Sequence, residues 1–323
     1  MPAEAFNRSG SAGRRGAGAR PSFRRYLMAE RRTAARWSEL FADETVRPDH
    51  TDDPRHALIH KLRGKALAQA TGIAMPAVHR TWDEPEGMDL AGLPERFVVK
   101  SAGGASSHGV LPLAREGGAF RVISTDTVLD EAGVVEYFAR KREQGKARGP
   151  FFAEEFLVGV TGNEILEDIK IYAFYGEIGH ILLRSVGSHG DPGSVRYRYV
   201  DEHGDDLGAV SKQNAVDPTI PVPECLPEMV ERARDLSVAA RIPFLRVDLY
   251  ETDRGVVFGE FTPRPGGMQE YVGSHDKHLG ALWERARLRL DVYIAGQLRV
   301  LPDADTARQL AVAFTSGSRH SRM

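Results

Sequence analysis

Two acidic residues in the segment FLRVDLYETDRGVVFGEFTP, residues 244–263, are spaced so that a β-hairpin would bring them together. The Thr-Asp-Arg-Gly sequence at residues 252–255 is suited to a tight turn. Folding the strands about this turn places Asp248 opposite Glu260, within one residue of register. Facing carboxylates repel each other, and Mg²⁺, which commonly takes one or two protein carboxylates, would relieve that repulsion. The alternative is that Arg246 neutralises both acids in a solvated hairpin.

A loop of small residues follows Lys100 in the segment FVVKSAGGASSHGVLPLA, residues 97–114. The apolar runs on either side are typical of strands, so the loop is predicted to join two strands. Val110 directly follows Gly109, which excludes a P-loop, and no helix pattern opens there, which excludes a dinucleotide-binding turn. The free backbone N–H groups of such a loop could cover a phosphate beside the lysine. A flexible hairpin loop without a ligand is the alternative.

The elements that would position these residues form a mixed order of helices and strands. Helical patterns cover residues 26–41, 57–72, 127–145, 227–241 and 278–298. The apolar face of the second helix is predicted to consist of Leu58, Leu62, Leu67 and Ala70. Strand patterns cover residues 120–124, 149–159 and 195–200, and residues 168–186 are predicted to form a hairpin. Several antiparallel hairpins without a regular strand–helix alternation predict an α+β fold.

Composition narrows the range of functions. The chain has 323 residues, enough for two or three subdomains, and its formal net charge of −2 offers no field to attract nucleic acid. Nucleic acid is therefore not expected as a partner. No apolar run approaches the ~18 residues of a membrane span and no signal peptide is recognisable, so the cytoplasm is the expected location. The single cysteine, Cys225, cannot form an internal disulfide.

Four segments taken in order resemble the ATP-grasp superfamily, and more narrowly its TupA-like branch from teichuronopeptide biosynthesis. They are FVVKSAGGASSHGV, FFAEEFLVG, EDIKIYAFYGE and FLRVDLYETDRGVVFGEFTPRPGG, and the resemblance covers roughly residues 56–285. It implies an ATP-grasp fold in which two α+β subdomains hold the nucleotide, preceded by a short helical N-terminal segment. The predicted organisation is a disordered basic tail (1–25), the helical segment and lead-in (26–95), a first subdomain with the glycine-rich loop and hinge (96–158), a second subdomain with the metal-binding hairpin (159–300) and a C-terminal tail (301–323).

The resemblance implies ATP and Mg²⁺ as cofactors. The residues implied to bind the nucleotide are Lys100 at the phosphates, Gly103, Gly104 and Ser106 in the lid loop, Glu154, Glu155, Phe156 and Leu157 in the hinge at the adenine, and Asp168 near the ribose. Leu157 would lie beneath the base, with one of the two hinge glutamates close to its amino edge. An ordinary cross-strand ion pair between Asp168 and Lys170 is the alternative for that position.

The resemblance also implies the groups that act on the reacting phosphate. The catalytic residues would be Lys100, Lys170 and Arg246, and the metal ligands Asp248, Glu260 and Thr262. Many ATP-grasp ligases have asparagine where this chain has Thr262, and a hydroxyl is a weaker oxygen ligand than an amide carbonyl, which leaves the number of metal ions open. Arg264 would hold the substrate carboxylate and His189 would close over the substrate. A surface arginine and a solvated loop histidine are the alternatives for these two.

The activity implied by the resemblance is that of an ATP-dependent carboxylate–amine ligase. An acyl phosphate would form and an amine would then capture it, giving an amide or peptide bond with release of ADP and phosphate. The partners would be a small-molecule carboxylate and an amine, such as an amino acid or peptide, in natural-product or cell-envelope polymer biosynthesis; a homodimer is left open. A small-molecule kinase and a non-catalytic nucleotide-binding protein are the alternatives.

Overall fold

The computed structural model describes residue 36 and residues 54–104, 109–265 and 270–298. The expectations for the tails at 1–25 and 301–323 and for Ser106 lie outside these residues. So does nearly all of the helix expected at 26–41.

The described chain alternates irregularly between helices and antiparallel strands. The helices are α1 (Pro54–Ile59), α2 (Lys61–Ala70), α3 (Glu131–Glu143), α4 (Leu226–Ala239) and α5 (Gly273–Leu298). The strands are β1 (Val78–Trp82), β2 (Arg96–Gly104), β3 (Val110–Glu116), β4 (Ala119–Val122), β5 (Val128–Leu129), β6 (Ala147–Glu155), β7 (Asp168–Phe174), β8 (Glu177–Val186), β9 (Val195–Val200), β10 (Leu245–Thr252) and β11 (Gly255–Thr262). This order confirms the predicted α+β class.

The first sheet, sheet I, has six strands in the order β1-β6-β2-β3-β4-β5. Alternate residues of β2, among them Phe97 and Val99, point into its core and are fully buried. Phe138 of α3 and Phe151 of β6 pack in the same core, with their rings 5.6 Å apart. The glycine-rich loop joins β2 to β3 in this sheet, as the sequence predicts.

The second sheet, sheet II, has five strands in the order β11-β10-β7-β8-β9. One face packs through Leu245, Val247 and Leu249 against a core that also contains Met229 and Leu236 of α4. Because strand residues alternate between faces, Arg246 and Asp248 lie on the opposite face. The predicted hairpins β7–β8 and β10–β11 are both present, the second with the predicted register.

The predicted helix over 57–72 is divided in two, and its predicted apolar face is buried only in part. Leu58 is buried and Leu67 packs against the core, whereas Leu62 is half-buried and Ala70 is exposed. Helix α1 ends at Ile59, and the His60 side chain accepts a hydrogen bond from the Arg63 backbone N–H, which caps the start of α2. The buried residues of α2 are Gly64, Lys65 and Ala68. A pattern of apolar residues alone could not identify this face, because a lysine is normally assigned to solvent.

Within the part of the chain that the structure describes, no helix combines the length and the apolar character needed to cross a membrane. Helix α5 is the longest, with 26 residues, but it carries several charged side chains.

Candidate active site

The hairpin β10–β11 brings the predicted acidic pair together on the polar face of sheet II. Asp248 faces Glu260 across the strands, and Arg246 faces Thr262. Arg246 donates through Nε and Nη2 to the two carboxylate oxygens of Asp248, at 2.6 and 2.7 Å, and through Nη2 to Thr262 Oγ1 at 2.8 Å. Burial opposes its charge, but the contact with Asp248 raises the pKa of Arg246 above its ordinary value.

The two facing carboxylates differ in how firmly they are held. The Asp248 side chain is 2% exposed and also accepts a hydrogen bond from Lys170 Nζ at 2.6 Å. Glu260 is 37% exposed, and its oxygens lie 3.6 Å from Arg246 and 3.7 Å from Lys61. Glu260 is therefore the carboxylate more readily offered to a metal ion, whereas Asp248 would have to exchange a cationic partner.

The donor set fits Mg²⁺ that is partly coordinated by phosphate and water. Among the described residues, no group of three or more His, Cys, Asp or Glu side chains is placed to hold a metal ion. Asp248, Glu260 and the Thr262 hydroxyl supply only oxygen donors, which Mg²⁺ prefers. These oxygens would leave several coordination positions to ligand oxygens, which is how Mg²⁺ is usually held beside nucleotides.

Asp168 lies between two cations on the same face. Arg184 Nη1 donates to it at 2.7 Å, and Lys170 Nζ lies 3.3 Å away. Burial alone would raise the pKa of Asp168, but Lys170 and Arg184 together lower it to about 2. Lys170 thus bridges Asp168 and Asp248. The ion pair between Asp168 and Lys170 that the sequence left as an alternative is present, but within strand β7, and the cross-strand partner of Lys170 is Asp248. A ribose contact of Asp168 stays a prediction.

A second charged cluster lies on sheet I and is centred on Glu154. This carboxylate is 2% exposed and accepts a close contact from Lys100 Nζ through Oε1, while Lys65 Nζ lies 3.0 Å from Oε2. Burial would raise the pKa of Glu154, but the two lysines lower it. Glu154 is therefore buried beneath Lys100, and its expected place at the adenine edge stays a prediction.

Helix α2 supplies two lysines of the candidate site that the sequence patterns did not identify. Lys61 and Lys65 are four residues apart and so lie on one helix face. Lys61 Nζ donates to Gly104 O at 3.1 Å and lies 3.7 Å from Glu260, which links the glycine-rich loop to the acidic hairpin. Gly64 allows α2 to pack closely against the end of α1, because a Cβ on Gly64 would lie 3.2 Å from the Leu58 carbonyl oxygen. The four-residue lysine spacing in HKLRGK was the available signal.

The base of the glycine-rich loop is closely packed. Ser101 N–H donates to Gly109 O at 2.8 Å, which draws the two ends of the loop together. A Cβ on Gly104 would lie 2.9 Å from the Lys146 carbonyl oxygen, so no larger residue fits without a shift. Gly103 pairs with Arg148 across the strands. The predicted lid residues Gly103 and Gly104 lie at the end of strand β2, close to Lys100 in the chain.

The predicted hinge residues follow the end of β6. Glu155 accepts hydrogen bonds from Ala77 N at 3.1 Å and Arg254 Nη2 at 2.7 Å. The Phe156 ring lies under the Arg96 guanidinium, 4.9 Å from the ring centre. Leu157 is buried. These contacts hold the connection between the two sheets, and the adenine contacts stay a prediction.

The loop that carries His189 reaches across to sheet I. His189 N–H donates to Ser124 Oγ at 2.9 Å, and Ser188 Oγ donates to Ser124 O at 3.0 Å. Burial lowers the pKa of the His189 imidazole, although a hydrogen bond with the Val110 backbone opposes this. The loop thus lies against the strand that follows the glycine-rich loop. Arg264 is partly buried just after β11.

The two clusters together carry more positive than negative charge. Their basic side chains are Lys61, Lys65, Lys100, Lys170, Arg184 and Arg246, and their acidic side chains are Glu154, Asp168, Asp248 and Glu260. Six formal positive charges thus face four negative ones. Partly buried positive charge without a counter-ion is unfavourable, so the site favours an anionic ligand.

Two antiparallel sheets, one with a glycine-rich loop beside a lysine and the other with a hairpin of two facing carboxylates, are the features of an ATP-grasp protein. A family model described as TupA-like ATP-grasp matches residues 49–284, and the chain belongs to this family. The resemblance stated from sequence is therefore confirmed. No curated protein matches the sequence at a significant level.

Similar solved structures include ATP-grasp ligases. The D-alanine–D-alanine ligase of Bacillus anthracis is 16% identical over 73% of this chain and 69% of that chain, with a TM-score of 0.46. The ligase PsnB, complexed with a phosphomimetic variant of its minimal precursor, Mg and ADP, is 14% identical over 83% and 71%, with a TM-score of 0.42. N5-carboxyaminoimidazole ribonucleotide synthetase in its ADP complex is 12% identical over 71% and 52%, with a TM-score of 0.44. At these identities no residue role is transferred from them.

Proposed function

We propose that the protein is an ATP-dependent carboxylate–amine ligase that forms an amide or peptide bond through an acyl phosphate. The observation that carries this proposal is the convergence of Lys61, Lys170 and Arg246 on the facing carboxylates Asp248 and Glu260. Lys100 is near enough to Glu260 for their charges to interact. Such a site offers positive charge for nucleotide phosphates together with oxygen donors for a metal ion. Family membership supports the use of ATP.

Each cation has a distinct place in the proposed reaction. Lys100 and Lys61 lie beside the glycine-rich loop and would bind the transferred and leaving phosphates. Arg246 and Lys170 lie beside Asp248 and would offset charge on the attacking carboxylate oxygen and the phosphoryl group. The loop that carries His189 would exclude water from the reactive acyl phosphate.

Asp248 and Glu260, with Thr262 beside them, would hold Mg²⁺. When bound, Mg²⁺ neutralises phosphate charge and orients the phosphate oxygens for transfer. Asp248 would release part of its contact with Arg246 or Lys170, which frees those cations for the substrate carboxylate.

The substrate would bind on the continuation of the same face of sheet II. A cavity of about 40 Å³ there is lined by Tyr172, Tyr199, Asn214 and Glu270, among others, and Tyr172 is the cross-strand neighbour of Arg246. Asn214 Nδ2 donates to the Tyr199 hydroxyl at 2.8 Å. This cavity is too small for a whole amino acid and would take only a polar end group of the substrate, with Arg264 and His189 as further substrate contacts. Natural-product or cell-envelope polymer biosynthesis is the proposed setting.

Capture of the intermediate with hydroxylamine tests this proposal. The protein is incubated with ATP, Mg²⁺, hydroxylamine and a panel of amino acids and small carboxylates, and hydroxamates are detected by mass spectrometry. We expect a hydroxamate that requires ATP and is lost in the Lys100→Met variant, because the acyl phosphate cannot form without the phosphate-binding cation. ADP formation with a stable phosphorylated alcohol, and no hydroxamate, would instead show a kinase.

A further inference from the structure

Lys65 is a buried lysine that pairs with a carboxylate and whose amino group is not exposed to a ligand. Its Nζ atom is fully buried, and the whole side chain is 8% exposed. The nearest carboxylate oxygen is Oε2 of Glu154, at 3.0 Å. A bound nucleotide therefore cannot contact Lys65 in this conformation, although it lies one helix turn from Lys61 at the candidate active site.

Glu154 divides its two oxygens between two lysines. Oε1 contacts Lys100 and Oε2 contacts Lys65, and the carboxylate is almost completely excluded from solvent. The cluster of two lysines and one glutamate has a formal charge of +1. Without Lys65, the full charge of Glu154 would oppose Lys100 alone, and the cluster would be neutral.

We infer that Lys65 is a positioning residue that satisfies Glu154 and thereby keeps the charge of Lys100 available to an anionic ligand. This inference rests on the proposed function, in which Lys100 binds nucleotide phosphates. Lys65 acts through Glu154 and does not touch the nucleotide. Helix α2 holds Lys65 buried against Glu154 of β6. Solvent therefore screens the charge of Lys65 less than it would screen the charge of an exposed lysine.

Burial of Lys65 is consistent with this role. Desolvation lowers the pKa of Lys65, with a further contribution from Lys100, while Glu154 opposes both. A lysine in this position is retained at a free-energy cost. A purely structural contact between α2 and the sheet could be made by an apolar side chain of similar length without that cost.

The inference is tested by comparing ligands with and without phosphates. Isothermal titration calorimetry measures the binding of ADP with Mg²⁺, and of adenosine, to the wild-type protein and to Lys65→Met. We expect ADP affinity to fall at least about tenfold, because one formal charge is removed beside the phosphates, and adenosine affinity to stay unchanged. Equal loss of both ligands would show a purely structural role and overturn the inference.

A charge-balanced double variant makes the test independent of the stability of the single variant. Lys65→Met with Glu154→Gln has the wild-type cluster charge of +1 on Lys100, so the ratio of ADP affinity to adenosine affinity should return to within about threefold of the wild-type ratio. Using the ratio removes any effect of Glu154→Gln on adenine binding. A folded double variant that keeps the low ratio of Lys65→Met would contradict the inference. Arg63→Met, which removes an exposed cation from the same helix, is the matched control and should bind ADP normally.

The outcomes distinguish this inference from the proposed function. A wild-type protein that binds adenosine and ADP equally well would contradict the phosphate site itself. A wild-type protein that prefers ADP, with Lys65→Met showing the same preference, would overturn only the role of Lys65.

Discussion

The charged clusters of the two sheets are balanced in different ways. On sheet II, the strand residues Asp168, Asp248 and Glu260 lie beside Lys170, Arg184 and Arg246, so their formal charges cancel, and Lys61 of α2 adds one positive charge between this cluster and the glycine-rich loop. On sheet I, one glutamate lies between two lysines and a positive charge remains. In the proposed reaction this difference gives the clusters different roles: the sheet I cluster would attract the phosphates, and the sheet II cluster would exchange its internal ion pairs for contacts with metal and substrate.

The largest expected effect separates binding from turnover. Glu260→Gln should lower turnover by about two to three orders of magnitude, because a metal-binding charge at the reacting phosphate is removed. ADP affinity measured without metal should stay close to wild type, since the sheet I cluster is intact. Near-normal turnover in Glu260→Gln would remove this residue from the metal site.

A second prediction concerns the folded state of sheet II. Asp248→Asn removes the nearest carboxylate of both Arg246 and Lys170, which keep only longer contacts with Glu260 and Asp168, so the free energy of unfolding should fall by about 3–5 kcal/mol. Glu260→Gln removes a more exposed and loosely paired charge and should change it by less than about 1 kcal/mol. Urea unfolding followed by circular dichroism measures both. Equal destabilisation of the two variants would show that the different burial of Asp248 and Glu260 does not affect stability.

How far the sequence predicts each cluster follows from the distance along the chain that separates its members. A single tight turn joins Asp248 to Glu260, so strand alternation and turn composition were sufficient to predict their register. Lys65, Lys100 and Glu154 come from a helix and two strands that are separated in sequence, and no local pattern relates them. The burial of Lys65 on α2 could not be predicted for the same reason, because only its pairing with Glu154 makes that burial tolerable.

The glycine-rich loop offers a third test on sheet I. Gly104→Ala would place a Cβ 2.9 Å from the backbone oxygen of Lys146, which forces a shift of the loop and should cost about 1–3 kcal/mol of stability. The same shift moves the carbonyl that accepts the Lys61 hydrogen bond, so ADP affinity should also fall. Gly87→Ala, where an added Cβ would meet no atom within 4 Å, is a control for loss of a glycine away from the site. A Gly104→Ala protein with wild-type affinity and stability would show that the loop is not closely packed.

The smallest expected effect is a pH dependence on sheet II. The pKa of Asp168 is lowered from an ordinary 3.8 to about 2, because its two cations outweigh burial. Its ionised form therefore stabilises the fold above pH 3.8, and that stabilisation is lost as the pH falls towards 2. Urea midpoints between pH 5 and pH 2 should decline less steeply in Asp168→Asn than in wild type. Parallel curves would contradict the assigned ion pairs.

The central claim is that a substrate carboxylate attacks the γ-phosphate and that an amine then displaces the phosphate. In the acyl phosphate, one oxygen of the substrate carboxylate joins the carbon to phosphorus. When the amine attacks the carbon, the C–O bond breaks and this oxygen leaves with the phosphate. Once the hydroxamate screen has identified a carboxylate, the reaction is run with that substrate labelled with ¹⁸O, together with ATP, Mg²⁺ and the amine. We predict one ¹⁸O atom in each molecule of inorganic phosphate formed, detected by mass spectrometry. Amide formation with unlabelled phosphate, or no release of inorganic phosphate at all, would contradict the acyl-phosphate mechanism.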